Sequence, residues 1–244
     1  MSADTVRIAM WSGPRNLSTA LMRSFGSRAD CAVSDEPFYA AYLKLSGADH
    51  PMREAVLKSQ PTDWRKVAAA MTGPAPNGAR LWYQKHMTHH MLPGIGREWM
   101  RASRHAFLIR HPARVLASYA AKRETVEFGD IGFSEQAELF DEAAAIAGKA
   151  PPVVDAEALL ADPRRVLIAL CAALAIPFDA AMLSWPAGPR DSDGVWAAHW
   201  YDAVMKSTDF GAPKPMRRLE DAAMRRLEER ALPIYERLAA FVLG

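Results

Sequence analysis

Cysteine is nearly absent from this chain: Cys31 and Cys171 are the two in 244 residues. So few thiols build neither a disulfide framework nor a cysteine metal site, and they fit a reducing compartment. Long apolar runs are missing as well, and the opening Met-Ser-Ala-Asp-Thr has no basic region followed by an apolar stretch. A cytoplasmic location and no membrane span are therefore expected. Charge of one sign is lacking too: 30 basic against 28 acidic residues leave a net +2, too close to balance to imply a nucleic-acid partner. Internal repeats and low-complexity tracts are absent. Finally, the chain has no Gly-Lys-Ser/Thr after its first strand-like segment, which disfavours an ordinary ATPase loop.

What is present is a composition that is 50% hydrophobic, enough for a substantial core, with strand and helix patterns in alternation. That alternation predicts an α/β fold, a parallel sheet flanked by helices, as one domain over residues 1–244. Segments 39–80 and 185–215 are expected to cover the site. In the first, punctuation at Ser46–Pro51 and Gln60–Asp63 divides helical stretches, with Thr62 or Asp63 capping the helix through Met71. The second is rich in turn formers and aromatics, which can line an acceptor pocket, stack on an adenine or plug the core.

The most informative stretch runs from Val6 to Leu21. Its apolar start stops at Ser12-Gly13-Pro14, then come Arg15, Asn16, Leu17, Ser18 and Thr19 ahead of helix-forming residues through Phe25. Strand, anion-binding loop and helix is the pattern this predicts. Gly13 permits a sharp turn, Pro14 fixes one dihedral, and the free amides of the helix start face an anion, helped by the helix dipole. Arg15 adds a permanent charge, and Ser18 and Thr19 add hydroxyl donors. A tight turn before a packed helix, with Arg15 solvated, is the plainer alternative.

Other candidates lie at strand ends. Cys31–Ser34 reads as a second strand before Asp35-Glu36-Pro37, which makes Glu36 a candidate general base or a structural acid. Arg80–Met87 starts as a strand and ends in Lys85 and His86, and a histidine there is a second candidate base. His86, His89 and His90 lack a carboxylate or thiol nearby in sequence, so solvated or capping histidines are expected rather than a metal site. A buried strand ends at Arg110, followed by a helix that carries Ser118 two turns in; both could reach one anion, although Arg110 could equally be a structural ion pair.

Together these motifs carry a resemblance. Pro14-Arg15-Asn16-Leu17-Ser18-Thr19 resembles the 5′-phosphosulfate loop of the sulfotransferases that use 3′-phosphoadenylyl sulfate (PAPS), in which Pro-Lys/Arg-Ser-Gly-Thr-Thr is common. Arg110 with Ser118 resembles that family's 3′-phosphate motif. Val153–Pro163 resembles its late strand and the Tyr-Glu-Asp-Leu-like turn that follows. The order of the three covers roughly residues 5 to 180. Arg15 stands where many members carry lysine, Asn16 replaces the serine, Leu17 the glycine, and Ala158 the acidic residue of the turn.

The resemblance implies a three-layer fold in the style of P-loop nucleotide proteins. It also implies sulfuryl transfer from PAPS, as co-substrate and without a metal, to a hydroxyl or amine of a small molecule that the sequence does not name. Residues 13 to 19 with Arg110 and Ser118 would bind the nucleotide, and Arg15 would stabilise the leaving phosphate. Some members carry a glutamate base after the second strand and others a histidine on the third. Glu36 is preferred over His86 because the match around Lys85-His86 is displaced by a residue or two. A metal-dependent small-molecule kinase and a non-catalytic nucleotide-binding module are the alternative classes, and nothing sets the oligomeric state.

Four further expectations concern the covers and the end of the chain. Residues 124–133 read as an irregular loop of a kind that closes over ligands, and Glu135–Lys149 as a helix with few core positions, on the surface or over the pocket. Met216–Leu243 is amphipathic, with Pro233 dividing or kinking it and Arg217, Arg218, Arg225 and Arg226 forming a strip interrupted by acids. In the late segment, Lys206, Ser207 or Thr208 could close over the nucleotide.

Overall fold

A computed structural model describes residues 5–120, 126–216 and 218–244. Five strands, β1 (Val6–Ser12), β2 (Cys31–Asp35), β3 (Leu81–Met87), β4 (Arg104–Ile109) and β5 (Val153–Asp155), form one parallel sheet in the order β2-β3-β1-β4-β5. The chain first works on one side of β1, through β2 and β3, and then crosses to β4 and β5 on the other. A crevice therefore opens at the carboxyl end of β1, the place where open parallel sheets take ligands.

The eleven α-helices among the described residues are α1 (Ser18–Gly26), α2 (Tyr39–Ser46), α3 (Arg53–Ser59), α4 (Trp64–Thr72), α5 (Pro112–Ala120), α6 (Phe133–Ala147), α7 (Ala156–Ala161), α8 (Pro163–Ala173), α9 (Ala197–Trp200), α10 (Asp202–Met205) and α11 (Ala222–Ala239). Alternate residues of each strand feed opposite faces of the sheet. Ile8, Met10, Tyr83 and Leu108 pack with Phe25 of α1, Leu159 of α7 and Leu167 and Leu170 of α8. Trp11, Trp82, Phe107 and Ile109 pack on the other face with Val67 of α4, Leu139 and Phe140 of α6 and Leu238 of α11. Three layers result, as the alternating pattern predicts.

Two smaller clusters finish the carboxyl edge. Tyr39, Leu43 and Val56 of α2 and α3 pack with Trp196, Ala197 and Tyr201, so parts of the 39–80 and 185–215 segments cover each other. Val115 and Leu116 of α5 pack with Ile131, Phe133 and Ala231. Asp63 caps α4, its side chain accepting from the Arg65 amide at 2.9 Å.

The structure corrects several expectations. Helix α6 is no surface element: Leu139, Phe140 and Ala143 are buried, and Gln136 Nε2 donates to the Leu108 carbonyl at 2.9 Å. Its core side is Phe133, Gln136, Leu139, Phe140 and Ala143, spaced three or four residues apart as one helix face. Residues 128–131 form a 3-10 turn rather than an irregular loop, and Ile131 is packed so closely that a Cβ on Gly13 would lie 2.8 Å from its carbonyl oxygen. Glu124, Thr125 and Arg217 lie outside the described residues. Pro233 neither divides nor ends α11, which runs through it from Ala222. An interior proline costs about 3 kcal/mol in an isolated helix, and burial of Ala231 and Leu238 on either side offsets it here. No described helix is long and apolar enough to cross a membrane.

Candidate active site

A cavity of about 700 Å³ runs along the carboxyl edge of the sheet. Its central wall is the loop between β1 and α1. Pro14, Arg15, Asn16, Leu17, Ser18 and Thr19 all line it; Gly13 does not, and instead lets the 131 carbonyl approach. Arg15 and Leu17 both adopt left-handed backbone, φ 63° and 67°. Leu17 occupies the position where the resembling loops have glycine, and a branched side chain there costs about 1 kcal/mol. The loop keeps the backbone shape while giving up the residue that makes it cheap. No side chain caps α1, so its first-turn amides have no side-chain acceptor at the cavity wall.

The candidate anion groups hold one another. Arg15 Nε donates to Ser118 Oγ at 2.9 Å, and Arg110 donates to the Arg15 carbonyl at 3.0 Å. Arg110 Nε also meets Glu157 Oε1 at 3.0 Å, while the other carboxylate oxygen of Glu157 lies 3.5 Å from Arg114. Burial and the nearby Arg110 charge pull the Arg15 guanidinium below its ordinary value. Asn16 is turned away from this group: it is 1% exposed, and its amide donates to the Leu108 carbonyl at 3.2 Å, pinning the loop to β4. Arg114 escaped the sequence reading although it sits four residues before Ser118 on α5, the spacing of one helix face. It also donates to the Lys214 and Pro215 carbonyls, drawing that segment, with cavity-lining Gly211 and Lys214, over the arginines. Of Lys206, Ser207 and Thr208, Ser207 lines the cavity.

The other end of the cavity is built on β2 and β3. Glu36 follows β2 with φ 43°, its backbone amide held by the Lys85 carbonyl at 3.0 Å. Lys85 is 1% exposed and donates to Glu36 Oε1 at 2.7 Å, Asp35 Oδ1 at 2.9 Å and the Tyr201 hydroxyl at 2.6 Å. That hydroxyl also accepts from Trp196 Nε1 at 3.2 Å and donates to Asp35 Oδ2 at 2.7 Å. Burial pushes the Glu36 carboxyl above its ordinary value, with Asp35 adding to the push and Lys85 opposing it. The two acids hold Lys85 protonated against the same burial. Glu36 Oε2 lies 4.0 Å from His90 Nε2.

The structure does not bring His86 to this group. Both Lys85 and His86 lie within β3, and in a strand neighbours point to opposite faces, so Lys85 reaches the cavity and His86 enters the core. His86 stacks on Trp11 at a centroid distance of 4.7 Å, beside Phe38 and Trp99, and burial drives its pKa down to about 3. His89 and His90 line the cavity: His90 is 2% exposed and stacks against Tyr39 and Tyr42, His89 is partly exposed, and burial with the neighbouring histidines keeps both neutral. Among the described residues no group of three His, Cys, Asp or Glu side chains could hold a metal ion. The late aromatics divide their roles: Trp185 and Trp196 are buried, and Trp200 and Tyr201 line the cavity.

Fold and edge together define a parallel α/β domain that gathers arginines and an uncapped helix start around one cavity. A sulfotransferase-domain family model matches residues 6–241, so the chain belongs to that family. A branched-chain-amino-acid aminotransferase-like protein 1 of Arabidopsis thaliana is 40% identical over 241 residues. This chain spans only 43% of that relative's length, while 98% of its own residues are matched. Among solved structures, a sulfotransferase from Alicyclobacillus acidocaldarius superposes with a TM-score of 0.60 at 14% identity, covering 97% of this chain and 95% of that one. The sulfotransferase domain from the curacin biosynthetic pathway gives 0.54 at 18% identity, covering 94% and 98%. At such identities these likenesses show the fold.

Proposed function

We propose that the protein transfers a sulfuryl group from 3′-phosphoadenylyl sulfate to a hydroxyl, or an amine, of a small molecule. The observation that carries this reading is a single cavity lined by the Pro14–Thr19 loop, Arg110 and Ser118 on one side and Glu36 on the other. The loop amides, Arg15, Ser18 and Thr19 hold the 5′-phosphosulfate. Arg110 and Ser118, with Arg114 beside them, hold the 3′-phosphate.

The acceptor oxygen attacks sulfur in line. A new S–O bond forms, the S–O bond to the 5′-phosphate breaks, and the acceptor proton passes to Glu36. Charge gathers on the departing phosphate, where Arg15 and the helix amides meet it. Glu36 suits proton transfer because Lys85 occupies one of its oxygens and orients the carboxylate, while burial raises its basicity. His86, inside the core, takes no part. Calorimetric titration with adenosine 3′,5′-bisphosphate, against ATP with magnesium, tests the donor. Tight bisphosphate binding that weakens in Arg110→Ala supports it, and preference for magnesium ATP overturns it.

A further inference from the structure

The cavity is electrically divided. Among the described residues five lysines and arginines line it: Arg15, Arg110, Arg114, Lys214 and Lys85. The first two stand at the ends of β1 and β4; Arg114 follows on α5 and holds the carbonyl of Lys214. Lys85 alone stands at the β2–β3 end, and all three of its donors are engaged by Asp35, Glu36 and Tyr201. An anionic group placed there would meet two carboxylates and no lysine or arginine with a free donor, because the one lysine charge is already shared between Asp35 and Glu36.

What this end does offer is neutral. The Nδ1 atoms of His89 and His90 are buried without a protein partner, and a neutral imidazole presents one donor and one acceptor nitrogen. Beside them the wall is Tyr39, Met87, Trp200 and Val204. We infer that the acceptor is a hydroxyl compound with an apolar body and no anionic group, its polar group met by the free nitrogens of His89 and His90. Acceptors carrying a carboxylate or a phosphate are refused. The inference rests on the sulfotransferase reading of the cavity, because it assigns the donor to the arginine end.

The test uses the full chain first saturated with adenosine 3′,5′-bisphosphate, so that failure of the donor reading shows at that step as absence of bisphosphate binding. Two acceptors of one shape are then titrated by calorimetry at neutral pH: 4-ethylphenol and 4-hydroxyphenylacetate. The neutral phenol is expected to bind about tenfold tighter than the carboxylate or better. Equal or tighter binding of the carboxylate overturns the inference, and so does failure of both to bind at millimolar concentration. Val204→Lys supplies the missing cation, and in this variant the gap between 4-ethylphenol and 4-hydroxyphenylacetate is expected to shrink about tenfold. A gap that stays unchanged, with bisphosphate binding intact, also overturns it.

Discussion

The two ends of the cavity satisfy their charges in different ways. At the β2–β3 end, Lys85, Asp35, Glu36 and Tyr201 form a closed network in which every lysine donor has an acceptor and the residues are almost fully buried. At the β1–β4 end, three arginines share Ser118, Glu157 and backbone carbonyls, and those partners are half exposed. The first arrangement is rigid, because breaking a buried ion pair strands a charge. The second is exchangeable, because a phosphate oxygen can replace a carboxylate or hydroxyl at an arginine with little penalty. The proposed base, which must keep its position and basicity, falls in the first setting, and the proposed nucleotide site, which must bind and release, falls in the second.

The comparison is broken most severely at Glu36. Glu36→Gln is expected to lower turnover by about 10²- to 10⁴-fold while leaving bisphosphate binding within about twofold, since the residue lies at the other end. Steady-state kinetics beside calorimetry reads both numbers, and a loss of binding as large as the loss of turnover would refute the division. Arg110→Ala should do the reverse. It removes a charged hydrogen-bond donor worth about 1.5–3 kcal/mol, which is about 10- to 100-fold in bisphosphate affinity.

Proton linkage sharpens the same contrast. The Glu36 carboxyl titrates above its ordinary value in the fold, so kcat/KM should rise with pH through that raised value, an acid limb that Glu36→Gln removes. The sign for stability is opposite: a raised carboxyl pKa contributes stability at low pH that is lost as pH rises through the folded value, which thermal melts of the parent protein across that range read. The buried histidines behave conversely. His86 and His89 have pKa values lowered from 6.5 to about 3, so the stability they lend is present above 6.5 and declines as pH falls below it, which thermal melts across that range would show.

Tyr201→Phe attacks the closed network without touching the arginines. Losing a hydroxyl that accepts from Lys85 and donates to Asp35 should cost about 1–3 kcal/mol, read as a lower denaturation midpoint. The smallest effect is expected at Glu157. Glu157→Gln frees Arg110 and Arg114 from a competing carboxylate, so bisphosphate affinity should rise by about two- to fivefold; a fall would mean that Glu157 chiefly holds the arginines in place.

Much of this edge was legible in the chain because its signals are local. The run from Val6 to Thr19 stops a strand and starts a helix within a few residues, and Arg110 with Ser118 repeats that transition on a neighbouring strand. Glu36 was legible for the same reason, standing just past a strand end. Glu36 was preferred over His86 on a displaced match alone; that His86 is sealed in the core follows from strand alternation and from the aromatic surface packed on that face, which the sequence does not show. The burial of α6 was missed, although Phe133, Gln136, Leu139, Phe140 and Ala143 recur at helical spacing.

The sequence by itself determined the alternating strands and helices, the loop between β1 and α1 and the basic positions beside it, because each depends on periodicity, turn chemistry and neighbours within a few residues. Tertiary structure alone decided that Tyr201 reaches back to Asp35 and Lys85 across 166 and 116 residues, that His86 is sealed in the core, and that cations collect at one end of the cavity. These follow from strand order and from which faces meet, and the free energy of a buried charge or hydrogen bond belongs to the assembled surroundings rather than to any stretch of chain.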